Sequence, residues 1–259
     1  MGRVFGSSLS LLSAALIFLL LLQEAAAIDA RSEVDEIVDA CLAHAASLTL
    51  GASLKFTRTK LLTRQPLTVV ALGSSSTTGV GAFGKGTAFP DVMEQELLRL
   101  EPGAQIKVIN SGRAMEDLTE NIGRLDNDVL PYMPDLVIWQ IGTNDVLWRG
   151  IASNSKEMLA DSIRRIKAAK ADVILLDLQY APVVLLSPRH TEMETIIADV
   201  ARQQNVGLFP RFLLMKQAIE AGVTGLVSWD GLHNSASGYA CVGMALARMI
   251  DGAVRQPAE

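Results

Sequence analysis

From residue 67 onward the chain alternates short, near-continuous apolar runs with longer amphipathic stretches, and this alternation restricts the fold more than any other feature. The runs at 67–72, 105–110, 135–141, 172–178 and about 206–209 are rich in Val, Ile and Leu and bounded by turn-forming residues, as buried strands are. Apolar residues at helical spacing mark the stretches near 89–100, 116–130, 155–170 and 190–204, and two more helices are expected near 211–221 and 236–252. Strands that are apolar on both faces need cover on both faces. The pattern therefore predicts an α/β chain, a three-layer α/β/α sandwich around a mostly parallel five-stranded sheet. In such sheets sites form where loops leave the carboxyl ends of the strands.

Residues 1–27 have the three parts of a secretory signal: Arg3, an apolar run from about Leu9 to Leu22, and Ala25-Ala26-Ala27. An uncleaved anchor is the competing reading, but the run is at or below the ~17 to 25 residues a spanning helix needs, and Gln23-Glu24 close it. The expected organisation is a signal peptide over 1–27, an N-terminal helical extension over 28–66 and the main domain over 67–255. The mature protein is expected to be exported, periplasmic or secreted, with no stable membrane span. Within the extension, Ser32-Glu33-Val34-Asp35-Glu36-Ile37 reads as a capped helix start. Residues 51–66, with Lys55, Arg58, Lys60 and Arg64, read as an irregular basic lead-in to the first strand. A net charge of -5 and a pI near 5.3 argue against nucleic acid as a partner. Cys41 and Cys241 either form a bridge, worth ~4 kcal/mol if unstrained, or sit apart as two small buried side chains. Both readings stay open, because a bridge demands Cα atoms about 5.5 Å apart.

Three successive strands end in small or polar clusters: Gly73-Ser74-Ser75-Ser76, Asn110-Ser111-Gly112 and Gly142-Thr143-Asn144-Asp145. A parallel sheet brings all three to one edge. A serine hydroxyl can act as a nucleophile there if a base is supplied, and a glycine N–H and an asparagine amide can stabilise an oxyanion. The base comes late, in Asp230-Gly231-Leu232-His233, where a spacing of three lets the carboxylate orient the imidazole. His190, at a loop-to-helix boundary, is expected at the solvent or at a substrate rim.

Taken together, these blocks make the chain resemble the SGNH (GDSL-like) serine hydrolases over about residues 67–250, in its flavodoxin-like fold as in its motifs. The resemblance implies Ser75 as nucleophile, His233 as general base and Asp230 as its partner. It implies an oxyanion hole from the N–H groups of Ser75 and Gly112 and the side chain of Asn144. The family's usual aspartate is replaced by Ser74, so Ser75 is chosen by its register after Gly73, with Ser74 and Ser76 as fallbacks.

The implied activity is that of an exported esterase needing neither cofactor nor metal, cleaving short O-acyl esters such as acetyl groups through an acyl-enzyme. A periplasmic or cell-surface glycan ester is the first substrate expectation, since Trp139, Trp148 and Trp229 lie on or beside the site segments. A small-molecule ester, a lysophospholipid or a thioester is the runner-up, and transfer to a sugar hydroxyl would make the same triad an acyltransferase. A non-catalytic glycan-binding protein would show a broken triad, whereas every member stands here. Gly79-Val80-Gly81-Ala82-Phe83-Gly84 matches a dinucleotide fingerprint but begins seven residues after Leu72, and no acidic residue closes the second strand. It reads instead as a flexible loop on the pocket rim.

Overall fold

A computed structural model of the protein describes residues 33–255 together with positions 16 and 18; apart from those two positions, the signal-sequence reading falls outside the described residues. The five strands are β1 (Leu67–Gly73), β2 (Ile106–Gly112), β3 (Leu136–Gln140), β4 (Asp172–Leu176) and β5 (Gly207–Phe209). In chain order the α-helices are α1 over residues 33–45, α2 (Lys55–Leu62), α3 (Ser75–Thr78), α4 (Phe89–Leu100), α5 (Leu118–Gly123), α6 (Leu125–Asp128), α7 (Ser155–Ala168), α8 (Pro182–Leu185), α9 (His190–Gln204), α10 (Arg211–Glu220) and α11 (Ala236–Arg255). They pair in the order β2-β1-β3-β4-β5, every pair parallel. The crossover from β1 to β2 therefore runs one way along the sheet and the next, from β2 to β3, runs back past β1, so that the switch point lies between the carboxyl ends of β1 and β3.

Alternate residues of each strand feed two separate cores, as the period of two requires. Leu67, Val69, Leu136 and Ile138 point to one face, against Phe89, Met93 and Leu97 of α4 (Phe89–Leu100) and Val242, Ala245 and Leu246 of α11 (Ala236–Arg255). Val70, Leu72, Val137 and Trp139 point to the other, against α7 (Ser155–Ala168) and α9 (His190–Gln204) through Leu159, Ile163, Ile166 and Ile197. Trp139 is fully buried there and donates its indole N–H to Asn121 Oδ1 at 3.1 Å. It is core, not a sugar-stacking surface.

Two segments differ from the sequence expectation. Residues 51–66 are not irregular: they contain α2 (Lys55–Leu62), whose own N-cap residue, Leu54, offers no side-chain cap. The cap comes from across the fold, where Asp172 Oδ2 accepts the backbone N–H and the hydroxyl of Thr57 at 2.8 and 2.9 Å. No local pattern announces such a helix. The single helix expected near 116–130 is broken into α5 (Leu118–Gly123), α6 (Leu125–Asp128) and a 3-10 turn at Leu130–Tyr132. Gly123 and Pro131 punctuate it, and Arg124 leaves helical geometry at the join.

The N-terminal helix over residues 33–45 joins the first core through Val38, Cys41 and Leu42, as α2 does through Leu61. Cys41 and Cys241 form a disulfide with Cα atoms 6.1 Å apart, tying this helix to α11. Among the described residues no helix is long and apolar enough to cross a membrane. The bridge closes a loop of 200 residues. Replacing either cysteine by serine is expected to lower the unfolding free energy by about 2–5 kcal/mol, read as an earlier urea midpoint. A midpoint equal to that of the oxidised wild type would show that the bridge does not stabilise the fold.

Candidate active site

β1 runs into a single helical turn, α3 (Ser75–Thr78), whose first residue is Ser75. Gly73 permits this sharp entry: a Cβ there would collide with Thr77 Oγ1 and lie 2.8 Å from Gln140 Oε1. That same Gln140 oxygen, at the end of β3, accepts the Ser74 N–H at 2.9 Å, the Ser74 hydroxyl at 3.0 Å and the Thr77 hydroxyl at 3.2 Å. Because a backbone N–H can only donate, the oxygen and not the nitrogen of the amide must face the turn. A carboxylate at position 74 would set acceptor against acceptor. Serine in place of the usual aspartate is thus matched to the amide of Gln140. Ser74 and Ser76 are buried, and Ser75 alone of the three is partly exposed.

The Asp230–His233 segment is a tight loop closed by Ser228 N–H to His233 O at 2.8 Å and Gly231 N–H to Ser228 O at 3.0 Å. Asp230 Oδ1 accepts the backbone N–H groups of Leu232 and His233, both at 2.9 Å, and Oδ2 lies 2.6 Å from His233 Nδ1. Burial alone would raise the Asp230 pKa; the hydrogen bonds from His233 and from the Leu232 and His233 backbone outweigh it and hold the carboxyl below its usual value. An ionised carboxylate only accepts, so Nδ1 carries the ring proton. Nε2, 2.8 Å from Ser75 Oγ, is left as the acceptor of the serine proton. The glycine-rich loop packs against this segment: at Gly81, with φ of 95°, a Cβ would lie 2.7 Å from His233 Cβ.

The candidate oxyanion donors surround Ser75 on neighbouring strand ends. Ser75 N–H opens α3 and has no intrahelical acceptor. Asn144 is buried just ahead of a π-helical turn (Asp145–Arg149) and donates one amide hydrogen to Glu116 O at 2.8 Å, leaving the second. Gly112 closes β2 beside α3, but its N–H is engaged by Asn110 Oδ1 at 3.0 Å, while Asn110 Nδ2 donates to Thr77 O at 2.7 Å. The structure thus joins Ser75, His233 and Asp230 in one hydrogen-bonded chain, with Asn144 and Gly112 carried on the neighbouring strand ends β3 and β2. It does not bring in His190, which pairs with Glu194 at 2.8 Å and stacks on Phe212.

Sequence reasoning passed over the buried polar residues that hold these groups. Gln179 Oε1 accepts the Thr143 hydroxyl and Arg211 Nη2, each at 2.9 Å, and Gln179 Nε2 donates to Leu232 O at 3.0 Å. One amide therefore braces the neighbours of both Asn144 and His233. Arg211, fully buried, also donates to Asp177 O from Nε at 2.9 Å and Nη2 at 2.5 Å. Burial pulls its pKa down to about 10 and pushes that of Asp177 up to about 7, the attraction between the two opposing both shifts. The only local signal is an amide or charge at an otherwise apolar position. Among the described residues no cluster of His, Cys, Asp or Glu is arranged to hold a metal ion.

The sequence profile of the non-GDSL lipase-like family matches residues 40–256. The chain is 28% identical over 177 residues to the esterase TesA of Pseudomonas aeruginosa, covering 67% of this chain and 83% of that protein. In structure it is similar to a two-domain esterase active on acetylated mannans, with a TM-score of 0.67 and 19% identity over 78% of this chain; it spans 54% of that protein, about half its length. It is similar too to Axe2, an acetyl xylan esterase from Geobacillus stearothermophilus, with a TM-score of 0.62 and 18% identity, covering 71% of this chain and 94% of the other.

Beside Asn144, buried Asp145 accepts the Leu118 N–H on Oδ1 at 3.3 Å, and Oδ2 has no partner among the described residues. Burial pushes its pKa up to about 6 against the opposing Leu118 hydrogen bond. Its folded state therefore holds the proton more tightly than the unfolded chain, whose value is ~3.9. The stability this group supplies is complete below about pH 4 and lost as pH rises through about 6, a change of about 3 kcal/mol. Asp145→Asn keeps an acceptor for Leu118 and should remove that decline. Urea unfolding at pH 4 and 7 checks this; an unaltered difference between the two would refute it.

Proposed function

The chain belongs to the non-GDSL lipase-like family of SGNH (GDSL-like) hydrolases, and on that premise we propose that it is an exported serine esterase working through an acyl-enzyme. The observation that carries this reading is the unbroken path from Asp230 Oδ2 through both ring nitrogens of His233 to Ser75 Oγ, at 2.6 and 2.8 Å. Ser75 Oγ attacks the ester carbonyl while His233 Nε2 takes its proton. The imidazolium, stabilised by Asp230, then protonates the departing alkoxide oxygen, and the C–O bond to it breaks. Water repeats the sequence on the acyl-serine: His233 removes its proton, the new C–O bond forms, and the proton returns to Ser75 as the acid leaves.

Charge developing on the carbonyl oxygen is met by Ser75 N–H and the second amide hydrogen of Asn144. Gly112 N–H becomes the third donor by exchanging Asn110 Oδ1 for the substrate oxygen. The likeness to esterases of acetylated mannan and xylan, together with Trp148 and Trp229, supports a short acyl group on a glycan as substrate. These two indoles are 58% and 89% exposed on segments adjoining Asn144 and Asp230, available to sugar rings as Trp139 is not. Exposed Phe83, Met115 and Leu186, on three other loops at the carboxyl edge of the sheet, favour a second reading in which an acyl chain lies across this face. The disulfide between Cys41 and Cys241 and the signal-like residues 1–27 support export to an oxidising compartment.

Ser75→Ala is expected to abolish turnover of p-nitrophenyl acetate with no change in unfolding midpoint, and Asn144→Ala to lower kcat roughly 100- to 1000-fold. Full activity in Ser75→Ala would remove the assignment. Comparing acetyl with decanoyl esters separates the glycan-acetyl reading from the acyl-chain one, and free acid against acyl transfer to added oligosaccharide separates hydrolase from acyltransferase.

A further inference from the structure

Arg124 is a cation placed almost entirely out of solvent, 6% exposed, behind the end of the sheet that carries the site. Its guanidinium reaches three separate segments. Nη2 donates to Gly73 O at 3.0 Å, two residues before Ser75; Nη1 donates to Ser111 Oγ at 2.7 Å, next to Gly112; Nε pairs with Glu116 Oε2 at 2.5 Å. Asp128 Oδ2 lies 3.5 Å from Nη1 and pairs more closely with Arg113, at 2.5 Å. Glu116 is the residue whose backbone carbonyl takes one hydrogen of the Asn144 amide, at 2.8 Å. Fixing one hydrogen of a planar amide fixes the direction of the other.

We infer that Arg124 is a positioning residue for the reaction: through Glu116 it sets where the free Asn144 N–H points, and through Gly73 O it holds that direction in register with Ser75. The inference rests on the reading of Asn144 as an oxyanion donor. Two features of the geometry carry it. The guanidinium offers donors in a rigid planar fork, so the ends of β1 and β2 and the turn after β2 are held at fixed separations, which a flexible ammonium would not do. Glu116 sits in the turn after β2, and among the described residues its carboxylate has Arg124 and Asn121 Nδ2, the latter at 2.8 Å, as its side-chain hydrogen-bond partners. A donor displaced by a fraction of an ångström meets the developing charge less well, which lowers kcat while leaving ground-state binding nearly alone.

The test is a double-mutant cycle on p-nitrophenyl acetate, with kcat expressed per site labelled by a fluorophosphonate so that misfolded protein does not count. Arg124→Met should lower kcat per labelled site about 10- to 100-fold, short of the full loss of the donor, with KM changed less than about threefold. Arg124→Lys should recover part of the loss. In the Asn144→Ala background the same substitution should cost on the order of threefold or less, because its route of action is already gone. Losses that multiply across the cycle, or a wild-type kcat per labelled site in Arg124→Met, would overturn the inference. If Arg124→Met does not fold, Glu116→Gln leaves the backbone carbonyl and a neutral acceptor in place and must show the same non-multiplicative coupling. Failure of the esterase reading looks different: the wild type neither turns over the ester nor labels at Ser75.

Discussion

One buried carbonyl oxygen, Gln140 Oε1, determines how Ser75 stands. By accepting the Ser74 N–H and the hydroxyls of Ser74 and Thr77, it fixes the turn between β1 and α3 from the neighbouring strand β3. Left unpaired in the interior, that N–H would cost about 1–3 kcal/mol, so the turn has a strong reason to keep this one geometry. Ser75 is then exposed at the first position of α3, with its own N–H unpaired within the helix and its hydroxyl within reach of His233. Gly73, which leaves no room for a Cβ beneath Gln140, belongs to the same constraint.

The remaining machinery repeats this arrangement. Gln179, close behind β4, takes Thr143 and Arg211 on its oxygen and gives a hydrogen to Leu232 O. Arg124 does for β1, β2 and the turn at Glu116 what Gln179 does for the loops of Asn144 and His233. The bracing groups are two neutral amides and two buried guanidiniums, which donate largely to carbonyl and hydroxyl oxygens. The cation of Arg124 is paired with Glu116, and the carboxylate in direct contact with the imidazole is Asp230. Water is excluded from the supports but not from the partly exposed Ser75, as the proposed hydrolysis of an acyl-serine requires.

Much of the fold was legible in the sequence because burial on both faces of a parallel sheet leaves a local signature, a short apolar run with punctuated ends. Each of the five strands falls within two residues of its expected bounds. What was not legible arose from interactions between residues far apart in the chain. α2 draws its cap from Asp172, 115 residues away, and so carries no start signal of its own. The stretch after Glu116 has helical spacing yet breaks at Arg124, whose side chain is committed to the sheet edge. Trp139 looked from its position like a candidate for stacking on substrate, but the alternation of β3 turns it into the second core.

By itself the sequence determined that this chain is an α/β sheet protein, and that serine, asparagine, glycine, aspartate and histidine fall on segments leading to one edge of that sheet. These are matters of periodicity, punctuation and order along the chain. Only the tertiary structure decided which of three adjacent serines is open to His233, that Cys41 meets Cys241, and that Gly112 N–H is engaged by Asn110. It alone placed Gln140, Gln179 and Arg124 as supports. A hydrogen bond depends on distance and direction between groups that, for Thr57 and Asp172, stand 115 residues apart in the chain, and no local pattern of polarity encodes either.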